Sequence, residues 1–103
     1  MTYSYYVLYW DEVGSGPPAG VIARDPRTGD ALIWSHIQQA WQYAPRTAIE
    51  FLNDYRNLDR YEPIDRETAE RVALSITGTE PLPDEDDIEW IFSWKGAPPQ
   101  SED

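Results

Sequence analysis

The 103-residue chain carries 19 acidic and 8 basic residues, five tryptophans, seven tyrosines and no cysteine, and its formal net charge is −11. This charge argues against direct binding of nucleic acids or anionic membranes and favours a basic partner. The absence of cysteine excludes disulfides, thiolate nucleophiles and zinc–thiolate sites. Because 41% of the residues are apolar and aromatic residues are abundant, the length predicts one folded domain with a single core.

The start of the chain lacks the basic and apolar regions of a signal peptide. No apolar run approaches the roughly 20 residues that a membrane-spanning helix needs. We therefore expect a cytoplasmic location and no association with membranes.

The first third of the chain predicts β-structure. Residues 3–10 are dense in β-forming residues with apolar side chains on both alternating faces, which is typical of a central strand or of one covered by helices on one side. Residues 11–20 are rich in Gly, Pro and Ser and predict a loop. Residues 21–24 and 31–34 predict a hairpin, because the turn between them, 25–30, has Pro and Gly at favourable positions.

The middle of the chain predicts helices. Residues 36–44 have apolar side chains at helical spacing after a possible N-cap at Ser35, and residues 46–55 show the same spacing. Residues 60–63 form a short extended segment that can add to the sheet. Residues 65–77 are the clearest helix, since they begin with an aspartate suited to capping and are followed by glycine.

The segment 84–95 has two interpretations. Asp84 suits a helix N-cap, acidic residues occupy the first turn, and Ile88 and Phe92 share one helical face. The second half of the segment also has the β-forming composition of a strand. We favour the helix.

Together these elements predict an α+β fold in which a small antiparallel sheet is packed on one face by two to four helices. We expect a single domain over residues 1–96, followed by a flexible C-terminal tail over residues 97–103. The segment 84–95 would either add a helix or close the sheet.

The acidic run at 84–89 is the strongest candidate for a functional site. Residues 72–103 hold eight of the acids and a single base, Lys95. Capping and solvation of a helix need only one or two of these charges. A docking surface for a basic partner accounts for the whole run, because a cation relieves the repulsion between adjacent carboxylates. A calcium loop is a third interpretation, but its pattern fails, since Glu89 and Lys95 stand where an EF-hand has Gly and Glu.

No motif in the sequence identifies an enzymatic reaction. His36 is the only histidine, so no second His or Cys can complete a metal site, and we predict surface or boundary packing for it. A domain of this size has little material for a carboxylate-lined catalytic cleft. The glycine-rich segment 14–20 lacks the GK[ST] signature of a phosphate loop. We expect no catalytic residues, no metal ligands and no cofactor.

The tyrosines and tryptophan of residues 3–10 have three interpretations. They could stack single-stranded bases, but such platforms lie in basic grooves, which this chain does not favour. Packing within the core is the interpretation that we favour. An exposed aromatic patch for protein contact, including a dimer interface, is the alternative.

We therefore hypothesise a non-enzymatic module that masks a basic partner, such as a nuclease or another nucleic-acid-binding protein. In size and charge the chain resembles the small acidic immunity and inhibitor proteins that neutralise nuclease toxins, although no residues align with a named family. Carboxylates would speed association and tryptophans would slow dissociation. The residues predicted to contact the partner are Asp84, Glu85, Asp86, Asp87, Glu89, Trp90 and Trp94.

Other functions fit the same composition. A nucleic-acid mimic that blocks a DNA-binding protein would need regularly spaced surface carboxylates. A small ligand-binding or enzyme-like domain would use an aromatic pocket. A passive subunit of a larger complex would share most features of the masking module, and the chain itself could be a monomer or a homodimer.

Overall fold

Five antiparallel strands form one sheet in the order β4-β3-β2-β1-β5. The computed structural model describes residues 3–12 and 16–95, so the predicted tail at 97–103 lies outside the described residues. The strands are β1 (Ser4–Tyr9), β2 (Pro18–Arg24), β3 (Ala31–Ser35), β4 (Ala40–Tyr43) and β5 (Tyr61–Ile64).

The helices are α1 (Pro45–Asn53), a 3₁₀ helix (Tyr55–Arg60), α2 (Arg66–Thr77) and α3 (Glu85–Ser93). The predicted α+β fold with a small antiparallel sheet is therefore confirmed. The helices lie on both faces of the sheet, however, and not on one face as predicted, because the central strands alternate apolar side chains to both sides. The sequence pattern of residues 3–10 already indicates this two-sided burial.

The larger core lies between the sheet and helices α2 and α3. Its aromatic members meet edge to face, with the ring centroids of Tyr3 and Phe92 separated by 5.6 Å. Small residues on α2 let that helix approach the sheet closely. The buried residues are Tyr3, Tyr5, Val21, Ala23, Leu32, Ala69, Ala73, Leu82, Ile88 and Phe92.

The smaller core lies on the opposite face, beneath α1. Its centre is Ile22, which is fully buried because it lies in the middle strand of the sheet. The buried residues are Leu8, Ile22, Ala31 and Ala48, and the partly buried residues around them are Tyr6, Ile33, Phe51, Leu52 and Tyr61. Each core is thus built by one face of the same strands.

The helix predicted over residues 36–44 is wrong, because this segment completes a β-hairpin. Trp34 on β3 faces Trp41 on β4, and their ring centroids are 5.3 Å apart. The Ser35 hydroxyl accepts from the backbone N–H of Gln38 at 3.1 Å, so this serine supports a turn and not a helix start. Gln39 takes a positive φ of 55° in that turn. Cross-strand aromatic pairing outweighs the helical spacing of the apolar residues.

The predicted loop at 11–20 is partly wrong, because β2 begins at Pro18. Proline is tolerated at the first residue of a strand, where it opposes Tyr9. Gly20 lies opposite Leu8, and a Cβ on this glycine would stand 3.4 Å from Leu8 Cδ1. Pairing with β1 therefore makes a strand of residues whose glycine and proline content is typical of a loop.

The predicted hairpin turn at 25–30 is confirmed. The backbone N–H of Asp25 donates to the carbonyl oxygen of Asp30 at 2.9 Å, and Gly29 adopts a φ of 86°. The Asp25 carboxylate accepts from the backbone N–H of Arg27 at 2.9 Å. Glycine suits this position because it carries no Cβ to oppose a positive φ.

Candidate functional site

The acidic run lies on α3, so the helix predicted for this segment is confirmed and the strand interpretation is wrong. Asp84 caps the helix, since its Oδ1 accepts from the backbone N–H of Asp87 at 2.9 Å. Glu85, Asp86 and Asp87 occupy the first turn, where negative charge favours the helix dipole. Capping and i, i+4 apolar spacing both favour a helix, and they outweigh the β-forming composition.

Two buried residues hold α3 against the sheet. Ile88 and Phe92 are one helical turn apart and both belong to the larger core. Their spacing leaves the opposite side of the helix in solvent, and that side carries Asp86, Glu89 and Trp90. The buried pair therefore determines which of the predicted site residues are exposed.

Glu85 has a structural partner beneath α3. The hydroxyl of Tyr5 donates to Glu85 Oε2 at 2.8 Å and accepts from Arg66 Nη1 at 3.1 Å. Burial, together with the hydrogen bond to Glu85, raises the pKa of Tyr5 to about 12, although the hydrogen bond from Arg66 opposes this change. The hydrogen bond joins α3 to β1, so Glu85 contributes more to docking of the helix than to an open acidic surface.

Lys95 holds the other end of α3. Its Nζ lies 3.3 Å from Oδ1 of Asp30, in the turn between β2 and β3. Asp30 is buried and also accepts hydrogen bonds from the hydroxyls of Tyr43 and Thr28. Lys95, the single base of residues 72–103, therefore links the end of α3 to the hairpin.

The remaining predicted residues form one exposed surface, which we call the α3 face: Asp86, Asp87, Glu89, Trp90 and Trp94. Within residues 3–12 and 16–95, the carboxylates of its three acids form no side-chain hydrogen bond or ion pair. Trp90 is 50% exposed and Trp94 is 45% exposed. Asp86, Trp90 and Trp94 follow one another at intervals of four, so they lie along one line of the helix.

The chemistry of the α3 face is that of recognition. Unpaired carboxylates attract cations, and half-exposed indole rings offer apolar area and cation–π acceptors. The face contains no nucleophile and no general base oriented by a second group. Of the seven predicted residues, the structure therefore brings five together on an open surface and gives Asp84 and Glu85 structural contacts.

Because Asp84 caps α3 and Asp86 is exposed, replacing each by alanine should change the stability of the protein by different amounts. We expect Asp84→Ala to lower the free energy of unfolding by about 1 kcal/mol, because the N–H of Asp87 loses its acceptor. Asp86→Ala should change it by less than about 0.5 kcal/mol, since its side chain is exposed. Urea titration of both variants measures the difference, and equal values would contradict the assignment of Asp84 as the cap.

Sequence reasoning did not locate an aromatic cavity at one end of the sheet. The cavity has a volume of about 230 Å³, and its walls include Leu8, Trp10, Ile33 and Phe51, with Arg60 at its edge. Trp34 also lines it, and the Nε1 of this tryptophan is buried without an acceptor in the described part of the chain. The lining residues come from five separate elements, so no sequence motif could have indicated the cavity.

His36 lies at the edge of this cavity, in the hairpin turn and not in a helix. Its Nε2 is 2.8 Å from the carbonyl oxygen of Ala19, and its ring lies beside Trp10 with centroids 6.4 Å apart. The histidine is exposed, as predicted for a surface residue. Part of the glycine-rich segment, residues 13–15, lies outside the described residues.

Among residues 3–12 and 16–95, no group of three or more His, Cys, Asp or Glu side chains is placed to hold a metal ion. In the same ranges, no helix has both the length and the apolar character needed to cross a membrane. Compared with known proteins, the chain matches no family model, no curated protein and no solved structure.

Proposed function

We propose that this chain is a non-enzymatic acidic module that binds and masks a basic protein surface. The observation that carries the proposal is the α3 face, where three unpaired carboxylates adjoin two half-exposed tryptophans on one helix. Free surface carboxylates attract a cationic partner over distances of about a Debye length, roughly 8 Å in physiological salt. Tryptophan is among the residues that contribute most to binding energy once buried in an interface.

The rigidity of α3 supports this proposal. The helix is held by the buried Ile88 and Phe92, by the Tyr5–Glu85 hydrogen bond and by the Lys95–Asp30 ion pair. A surface that is already ordered loses less conformational entropy on binding. The partner of this proposal is a protein with an open basic groove, such as a nuclease or another nucleic-acid-binding protein, and the module acts as an immunity-like inhibitor.

Neutralising the α3 face should weaken binding to the partner. We expect the variant D86N/D87N/E89Q to lose at least about tenfold in association rate and to show a weaker salt dependence, because fewer charges steer the encounter. Tagged wild-type protein should capture one dominant basic protein from its native cells at low salt and release it at about 0.5 M salt, where screening is strong. Stopped-flow or surface-plasmon measurements with that purified protein give the rates.

The matched control is D11N/D59N/E62Q, which removes the same three charges from exposed positions on the 3₁₀ helix, β5 and the far end of β1. This variant should retain the wild-type association rate to within about twofold, since its charges lie away from the interface. Equal losses in both variants would mean that only net charge matters. Failure to capture a basic protein would make the acidity a solubility feature.

The aromatic cavity favours a second candidate function, binding of a small apolar ligand. Its walls are aromatic, and the buried Nε1 of Trp34 lacks an acceptor within the described residues. A thermal-shift screen of small aromatic compounds tests this candidate, because a ligand that binds only the folded state raises the melting temperature. A nucleic-acid mimic is the third candidate, and it requires regularly spaced carboxylates along the surface.

A further inference from the structure

Three of the eight basic residues have no acidic partner within residues 3–12 and 16–95, although acids outnumber bases by more than two to one in the sequence. The five paired bases are Arg27, Arg56, Arg66, Arg71 and Lys95. Arg24, Arg46 and Arg60 form no ion pair and donate no side-chain hydrogen bond to any described residue. Two of these three, Arg24 and Arg46, line the same cavity.

Arg24 is the more unusual of the two. It lies in the central strand β2, on the same face as the buried Ile22, and is only partly accessible to solvent. Its Nε is buried and has no hydrogen-bond acceptor among the described residues. Buried donors in proteins are nearly always hydrogen bonded, so the Arg24 guanidinium is unusual in having no fixed partner among the described residues.

The cavity has a volume of about 470 Å³, within the range of small-molecule sites. One wall is the first turn of α1, with Pro45 and Arg46, and the turn glycine Gly29 forms another. Ile49 adds apolar surface, and Glu50 stands at the edge as the single acid. The cavity thus combines an apolar wall with two guanidinium groups.

The first turn of α1 adds to the positive character of the cavity. Unlike α2 and α3, which are capped by Asp65 and Asp84, α1 has no side-chain cap and no acid in its first turn. The free N–H groups of a helix start carry about half a positive charge and accept anions. An external anion there would replace the missing cap while it contacts both arginines.

We propose that the Arg24–Arg46 cavity binds the phosphate group of a small organic molecule. Two guanidinium groups and a helix start, less the charge of Glu50, leave more than one positive charge, which a phosphate monoester with about −1.5 to −2 charge balances better than a carboxylate. Arginine binds phosphate oxygens in a bidentate manner. Pro45 and Ile49 contact the organic part of the ligand. This site is distinct from the α3 face, which carries negative charge.

Titration with phenyl phosphate, followed by amide chemical shifts, tests the proposal. We expect saturable shifts confined to residues 24, 29 and 45–50, with binding complete by about 10 mM for a site of about millimolar affinity. Benzoate, which has the same ring with a carboxylate, should bind at least about fivefold more weakly, because it carries less charge. Inorganic phosphate should shift the same amides more weakly than phenyl phosphate.

Arginine variants distinguish a specific binding site from nonspecific electrostatic attraction. Arg24→Gln and Arg46→Gln should each weaken binding of phenyl phosphate at least about tenfold, and the ligand should no longer raise the melting temperature of the double variant. Arg71→Gln removes the same charge from an exposed position on α2 that lines neither this cavity nor the aromatic one, and this variant should bind as the wild type does. Dispersed amide spectra of each variant establish folding before titration.

Three results would overturn the proposal. The first is absence of saturable binding by the folded wild-type protein at about 10 mM phenyl phosphate. The second is an equal loss of binding in Arg71→Gln, which would indicate attraction by net charge alone. The third is equal affinity for benzoate and phenyl phosphate, which would make the cavity a carboxylate site.

Discussion

Replacement of Ile88 by alanine is expected to lower the free energy of unfolding by about 2–5 kcal/mol. The side chain of Ile88 is 0% exposed and lies in the larger core with Phe92, Ala73 and Leu82. Its truncation removes buried apolar contacts and leaves a cavity beneath α3 that the rigid sheet cannot fill. Since a small domain has only about 5–15 kcal/mol of stability in total, this loss is a large fraction of it.

Ile37 provides the matched control, because the same residue type is 94% exposed in the β3–β4 turn. Ile37→Ala should change the free energy of unfolding by less than about 0.5 kcal/mol. Urea unfolding followed by tryptophan fluorescence measures both variants. Similar values for the two would mean that α3 does not pack on the sheet, and the α3 face would then lose its rigid support.

Replacement of Asp30 by asparagine is expected to cost about 1.5–3 kcal/mol at neutral pH. The buried carboxylate accepts from the hydroxyls of Tyr43 and Thr28, and the Nζ of Lys95 lies 3.3 Å from its Oδ1. Asparagine keeps the shape but removes the charge and turns one acceptor into a donor. The substitution weakens a partner that is shared by Thr28 in the hairpin turn, Tyr43 on β4 and Lys95 beyond the end of α3. The loss of stability therefore exceeds that from breaking a surface ion pair.

The same substitution should change how stability depends on pH. Burial raises the pKa of Asp30, but the hydrogen bonds from Tyr43, Thr28 and Lys95 and the charge of Lys95 outweigh it, so the pKa lies below its ordinary value of 3.8. A carboxyl with a depressed pKa stabilises the fold above its unfolded pKa, and this contribution disappears as the pH falls through the folded pKa. The stability difference between wild type and Asp30→Asn should therefore be constant above pH 5 or so and should shrink below about pH 3.8.

Asp86→Asn is the control for this pH series, because it makes the same chemical change at an exposed site. Its stability should stay within about 0.5 kcal/mol of the wild type at neutral pH. Urea titrations between about pH 7 and pH 3 give both curves, over the range in which carboxyl groups titrate. A difference for Asp30→Asn that does not shrink in acid would show that its charge has no stabilising role.

Local signals made several elements predictable. The helix over residues 65–77 and the helix at 84–95 have aspartate caps whose side chains accept from backbone N–H groups in the structure. The turn at 25–30 has a glycine that takes positive φ. These features involve residues at most a few positions apart, so sequence patterns contain all the information that determines them.

The incorrect secondary-structure predictions concern segments whose conformation depends on contacts with distant residues. Residues 36–44 have helical spacing, yet Trp41 pairs with Trp34 and donates from Nε1 to the carbonyl oxygen of Pro81 at 3.0 Å. Strand β4 therefore forms from cross-strand and long-range contacts that the spacing does not encode. The start of β2 depends in the same way on a distant segment, since residues 18–24 pair with β1.

For the candidate site, composition and charge identified the acidic segment. Only the structure shows which of its residues have structural partners and which are exposed. Asp84 and Glu85 point to the helix start and to Tyr5, whereas Asp86, Asp87 and Glu89 have no side-chain partner in the described part of the chain. That division depends on which side of α3 faces the sheet. The Arg24–Arg46 cavity was not predictable, because its arginines are 22 positions apart and meet only when α1 packs on β2.

The sequence by itself determined the negative charge, the absence of thiol chemistry, the capped helices and the turn at 25–30, because composition and short-range hydrogen bonding suffice for these properties. The tertiary structure decided the two-sided sheet, the strand β4, the exposed set of carboxylates and the grouping of unpaired arginines. These features follow from burial and from contacts between distant segments, which depend on how the whole chain packs.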